Sequence, residues 1–89
     1  SDLLGIFNAN GKNVMVNLFP NPVTDYLYIS TDEKVNVSIS SMEGRRLGYY
    51  EDARKIDMRN FATGVYLLRI TDRNGALLGT EKIITQTNR

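Results

Sequence analysis

The sequence contains no cysteine and no histidine. Without cysteine no disulfide staples the chain, and no thiolate can bind a metal or attack a substrate. Without histidine the commonest general base and transition-metal ligand are missing as well. A histidine-dependent triad and a zinc site are therefore not expected. Charge of one sign is also lacking: 11 basic residues face 10 acidic ones, for a net charge of +1. A nucleic-acid binder shows a clustered basic excess. The basic pairs here, Arg45-Arg46 and Arg54-Lys55, have acidic neighbours in Glu43, Glu51, Asp52 and Asp57 and read as solvated surface. No apolar run approaches the ~20 residues of a membrane-spanning helix, and apolar residues nowhere recur at helical spacing over more than two turns. Proline occurs only at positions 20 and 22.

The 89 residues suffice for one small domain. Ser1 is not a natural start residue, so a longer precursor with any export signal upstream is expected. Residues 1–13 combine an apolar patch (Leu3, Leu4, Ile6, Phe7) with the turn-rich run Asn8 to Asn13, and read as a linker or arm. Val14 to Phe19 is a short strand. Pro20 and Pro22 cannot both lie inside a central strand, because proline lacks an N–H and has a fixed φ. The stretch Leu18-Phe19-Pro20-Asn21-Pro22-Val23 is therefore a rigid corner between two strands, the second being Tyr26 to Ser30.

Val35-Asn36-Val37-Ser38-Ile39-Ser40 alternates β-branched apolar with small polar residues, as in a strand with one face in a core and one in water. Asn36-Val37-Ser38 also spells a glycosylation acceptor, which a strand position makes a coincidence. Gly44 closes a turn at positive φ. Weaker strands follow at Arg46 to Tyr50 and Lys55 to Met58. Val65 to Thr71 is the most continuous apolar run and belongs in the middle of a sheet. Asp72-Arg73-Asn74-Gly75 predicts a type I′ hairpin turn, and Leu77 to Thr85 the last strand, with a bulge at Gly79. The pattern is all-β: a small Ig-like antiparallel β-sandwich of about seven strands over residues 14–86, with a frayed tail at 87–89.

Chemistry is sparse. The carboxylate pairs Asp32-Glu33 and Glu51-Asp52 sit in surface turns, with no apolar pocket to separate their pKa values. Asp72 to Gly75 starts like a calcium loop but lacks the later ligands. Gly44 and Gly64 precede no helix and cannot cradle phosphate. No catalytic, metal or cofactor-binding residue is expected, and no cofactor. The tyrosines Tyr26, Tyr28, Tyr49, Tyr50 and Tyr66 could form a binding face or simply cover the core.

Three motifs, in order, resemble the C-terminal sorting domains of type IX secretion substrates, type A, as in gingipain-like proteins of Bacteroidota. They are the corner Leu18 to Leu27 with Pro20, Asn21 and Pro22, and the strand and glycine turn Val37 to Arg45 with Gly44. The third is the Gly64-Val65-Tyr66 strand closed by Lys82-Ile83-Ile84. The resemblance spans Leu18 to Gln86, and the tail Thr85 to Arg89 runs past the Lys82-Ile83-Ile84 element in polar residues. It implies a non-catalytic secretion and sorting signal at the end of a precursor. The partners would be an upstream passenger in the same chain, the outer-membrane type IX translocon and a surface sortase. The precursor would pass through the periplasm to the cell surface or medium. Cleavage would fall in or before residues 1–13, followed by attachment to surface lipopolysaccharide. Neither nucleic acid nor a membrane span is implied. The competing expectations are a carbohydrate-binding or adhesive accessory β-sandwich of a secreted enzyme, using the tyrosines, and a structural spacer. An open final strand also permits a strand-swapped dimer at high concentration.

Overall fold

In the computed structural model residues 3–9 and 12–86 are described, with side chains from residue 13 onward. Eight strands form: β1 (Leu3–Ala9), β2 (Lys12–Phe19), β3 (Tyr26–Thr31), β4 (Val35–Ser41), β5 (Arg46–Tyr50), β6 (Lys55–Asp57), β7 (Gly64–Asp72) and β8 (Leu77–Thr85). Period-two alternation decides their faces. Val14, Val16 and Leu18 of β2, Leu27 and Ile29 of β3, and Val35, Val37 and Ile39 of β4 turn inward. Tyr66, Leu68 and Ile70 of β7 and Ile83 of β8 meet them from the other side. The result is a sandwich of two four-stranded antiparallel sheets, in the order β1-β2-β3-β6 and β5-β4-β7-β8. Strands β2 to β8 follow the A-B-E and C′-C-F-G arrangement of an immunoglobulin-like sandwich, with β7 central as its apolar run predicts.

Within the stretch 1–13 read as a linker or arm, the described residues 3–9 form a strand. Leu3–Ala9 is strand β1, paired along β2 from Leu3↔Leu18 to Ala9↔Lys12. It supplies an eighth strand at the edge of the first sheet. An edge strand needs only one neighbour and no strict alternation, which is why its pattern resembled a linker. The frayed tail expected at 87–89 lies outside the described residues.

Two hairpins share one design. Ser41 and Asp72 each accept a bond from the glycine three residues on (Gly44 and Gly75 N–H, both 3.0 Å). Each also receives, on its side-chain oxygen, the N–H of the fourth residue: Arg45 to Ser41 Oγ at 3.2 Å, and Ala76 to Asp72 Oδ1 at 2.9 Å. Gly44 and Gly75 have φ of +92° and +90°, whereas Asn74 is not left-handed. The turn after β7 is thus a three-residue loop with a glycine bulge, and not the type I′ turn that Asn-Gly predicts. The side chain of Asp72 makes the difference by holding the longer loop. A Cβ at either glycine would meet nothing within 4 Å, so only backbone strain opposes a side chain there. Gly44→Ala and Gly75→Ala should each cost about 1–2 kcal/mol, seen as a lower denaturant midpoint at unchanged m-value.

The outer side of β4 is less exposed than its polar pattern predicts, although Asn36 remains partly exposed. Ser38 and Ser40 are 6% and 9% exposed. They are small residues on a central strand, flanked by the larger Arg46 and Tyr49 on β5 and Leu67 and Arg69 on β7. The β8 bulge falls beside Gly79, where the pairing slips from Ile70↔Gly79 to Thr71↔Leu77.

Candidate functional site: the proline corner and the last strand

The corner Pro20-Asn21-Pro22 carries the chain from one sheet to the other. Phe19 pairs with Tyr28 in the first sheet, and Val23 makes a parallel bridge with Thr85 in the second. Both X-Pro peptide bonds of the corner are cis. Between two sheets there is no strand to receive an N–H, and two prolines remove two such donors. Val23 is fully buried and stitches the corner to β8. Its N–H donates to the Ile84 carbonyl (2.8 Å), and its carbonyl accepts from Gln86 N–H (2.8 Å) and Thr85 Oγ1 (3.2 Å). Asn21 adds its Oδ1, which accepts Ile84 N–H at 3.4 Å.

The opposite side of β8 pairs with β7: Val65↔Ile84, Tyr66↔Ile83 and Leu67↔Lys82. Ile83 is buried, while Ile84 and Val65 form an exposed apolar pair, 43% and 41% accessible. Tyr66 is structural: its hydroxyl donates to the Ala62 carbonyl, and its ring stands edge-on to Phe61 at 5.4 Å. A Cβ at Gly64 would meet nothing within 4 Å, so packing does not demand glycine there. Gly44 lies apart from the corner, in the β4–β5 hairpin, although the pairing Ser41↔Tyr66 puts that hairpin at the same end of the sheet. The structure thus unites Asn21, Val65, Tyr66 and Lys82 to Ile84 around the corner. It adds Val23 and Thr85, which sequence reasoning missed. The lone apolar residue after a double proline was the signal for Val23; nothing local marked Thr85.

Only part of the edge of β8 is closed. Ile84 turns its backbone groups away from β7, toward Val23 and Asn21. Antiparallel alternation turns those of Lys82 and Thr80 the same way; no described strand pairs with them, although β1 lies alongside β8. This unpaired stretch of edge therefore adjoins the proline corner.

The five tyrosines form no common face. Tyr66 is buried, Tyr50 packs against the core, and Tyr49 lies outside the second sheet. On the first sheet Tyr28 stacks on Phe19 at 5.6 Å and leans on Tyr26. Lys55 and Arg59 cap the Tyr26 ring at 4.3 and 5.1 Å. This strip is covered by its own cations. Arg59 also grips Asp57 through two bonds, at 3.0 and 2.8 Å. Those bonds hold the Asp57 carboxyl down to about 2, from 3.8, and push the Arg59 pKa up. The folded value lies below the unfolded one, so this contribution is present above pH 3.8 and is lost as pH falls toward 2. Asp57→Asn should flatten the thermal midpoint in that window only, and slightly, because the pair is exposed. Among the described residues no group of three metal-ligating side chains occurs.

A family model described as the secretion system C-terminal sorting domain matches residues 17–86. No curated protein and no solved structure matches the chain. The matched span begins just before the corner and ends at the residue bonded to Val23, so it contains the stitched site entire. The chain belongs to the family of secretion system C-terminal sorting domains, signals that direct proteins into type IX secretion.

Proposed function

We propose that the secretion machinery reads this domain as a folded shape, at the surface where the proline corner meets β8. The observation that carries the proposal is the half-closed edge. The corner ties down Ile84 to Gln86 and leaves the backbone of Lys82 and Thr80 without a paired strand beside the exposed pair Val65 and Ile84, with β1 close by. A partner strand can extend such an edge, with backbone bonds giving affinity and flanking side chains giving specificity. The domain is not itself catalytic, and its role is recognition.

The finer steps follow from the resemblance. A passenger precedes the domain in the precursor and crosses the inner membrane and periplasm before the outer-membrane translocon engages the folded signal. A surface sortase then cuts in or before residues 1–13 and joins the passenger to lipopolysaccharide, as in the gingipain-like type. Pairing of Leu3–Ala9 with β2 favours a cut on the N-terminal side of β1, since backbone held in a sheet is a poor protease substrate.

The test is a fluorescent reporter bearing an export signal, fused to residues 1–89 and expressed in a bacterium with type IX secretion. Delivery to the surface or medium that disappears in a secretion-deficient strain is the expected result. A folded fusion retained in the periplasm would overturn sufficiency of the domain. Mass spectrometry of the delivered passenger reads the cut, and a passenger ending within Leu18 to Gln86 would refute the proposed cleavage region.

A further inference from the structure

The outer face of the second sheet holds a second feature, centred on β4 and away from the proline corner. Ser38 and Ser40 sit recessed on β4. Tyr49 and Arg46 of β5 stand opposite them on one side, and Arg69 of β7 opposite Ser38 on the other. Small residues between large ones make a trough of about 370 Å³, lined also by Thr71 and by the turn glycines Gly44 and Gly75. This is the size of a small-ligand site.

Its chemistry has one sign. Two guanidinium groups and several hydroxyls line it, and no carboxylate among the described residues does. Neither Arg46 nor Arg69 has a carboxylate partner among the described residues. Arg46 leans on the Tyr49 ring at 5.3 Å, which orients its planar fork, and Lys82 lies one strand further out on the same face. Guanidinium donors match the two oxygens of a phosphate or carboxylate. The backbone groups beneath belong to the sheet ladder, so an extended peptide finds no main-chain partner here. A compact ligand rich in hydroxyls, with an oxyanion, finds side-chain donors and acceptors instead.

We propose that this trough binds an acidic sugar, its phosphate or carboxylate held between Arg46 and Arg69 and its hydroxyls by Ser38, Ser40 and Tyr49. The proposal does not rest on which edge the secretion machinery reads, because it is tested by binding and not by delivery.

The experiment is NMR of the labelled 89-residue chain, titrated with mannose 6-phosphate and galacturonic acid, and with mannose, inorganic phosphate and a hexaglutamate peptide at equal concentrations. Shifts of the Ser38, Ser40, Tyr49 and Arg69 amides with an acidic sugar, weakened by added salt, are the expected result. Arg69→Gln, and separately Arg46→Ala with Arg69→Ala, should weaken binding about tenfold or more at unchanged denaturation midpoint. Three results would overturn the proposal: no shifts with either acidic sugar, equal binding of neutral mannose, or binding unaltered in a folded Arg69→Gln domain. Inorganic phosphate or hexaglutamate binding as tightly as the sugars would overturn the sugar assignment.

Discussion

Replacing Ile83 by alanine should cost the domain about 3 kcal/mol, within the usual range for a large-to-small core change. Ile83 is fully buried and lies opposite Tyr66, at the end of the sheet that the proline corner closes. The vacated space cannot collapse easily. Val23, also fully buried, is held by bonds to Ile84, Thr85 and Gln86, and Tyr66 is anchored to Ala62. For a domain of marginal stability such a loss is a large fraction of the total. The urea midpoint should fall accordingly, and reporter delivery should fall with it. The neighbouring change Ile84→Ala provides the contrast. Ile84 is 43% exposed, so its loss should move the midpoint by under about 0.5 kcal/mol. Equal effects at the two positions would contradict the inward and outward assignment of β8.

Lys82→Pro should do the reverse, leaving the domain folded while cutting delivery at least about tenfold. The Lys82 N–H points away from β7, as that of Ile84 does, so proline there removes no ladder bond. Glu81 already lies within a strand, the backbone region a residue before proline prefers. The change blocks an incoming strand at the unpaired edge, because one donor is gone and a ring stands in its place. Its stability cost should stay near ~1 kcal/mol. Lys82→Ala separates backbone from side chain: it keeps the N–H, and delivery should persist. Normal delivery of a folded Lys82→Pro fusion would exclude the β8 edge as the surface that is read. Deleting residues 82–89 is a poorer experiment. It removes Ile83 and every bond that Val23 makes to the last strand, so lost folding and lost recognition could not be told apart.

Most of the strands were legible because alternation is local. Val35 to Ser40 and Tyr26 to Ser30 state their faces within six residues, and β8 has the very bounds that its pattern predicts. The Leu3–Ala9 strand was not legible, since an edge strand with one neighbour carries no clean period. The turn after β7 misled for a related reason. Asn-Gly favours a two-residue loop, but a side-chain bond from Asp72 holds a three-residue one. For the site, the motifs marked Pro20 to Pro22, Gly64 to Tyr66 and Lys82 to Ile84 as separate stretches. Their residues act differently once folded: Tyr66 and Ile83 support the core, Asn21 ties the edge, and Val65 and Ile84 face outward.

By itself the sequence determined the all-β class, the inward and outward faces of most strands, the rigid corner and the absence of histidine or cysteine chemistry. These follow from steric preferences and side-chain types acting over a few residues. Only the tertiary structure decided that the corner reaches across to the second sheet, that Val23 is bonded to Thr85 of β8 across 62 positions of chain, and that Ser38 and Ser40 lie at the bottom of a basic trough. Such contacts arise where two sheets bury their apolar faces together. Which distant strands then become neighbours is set by the whole core, and no local stretch of residues encodes it.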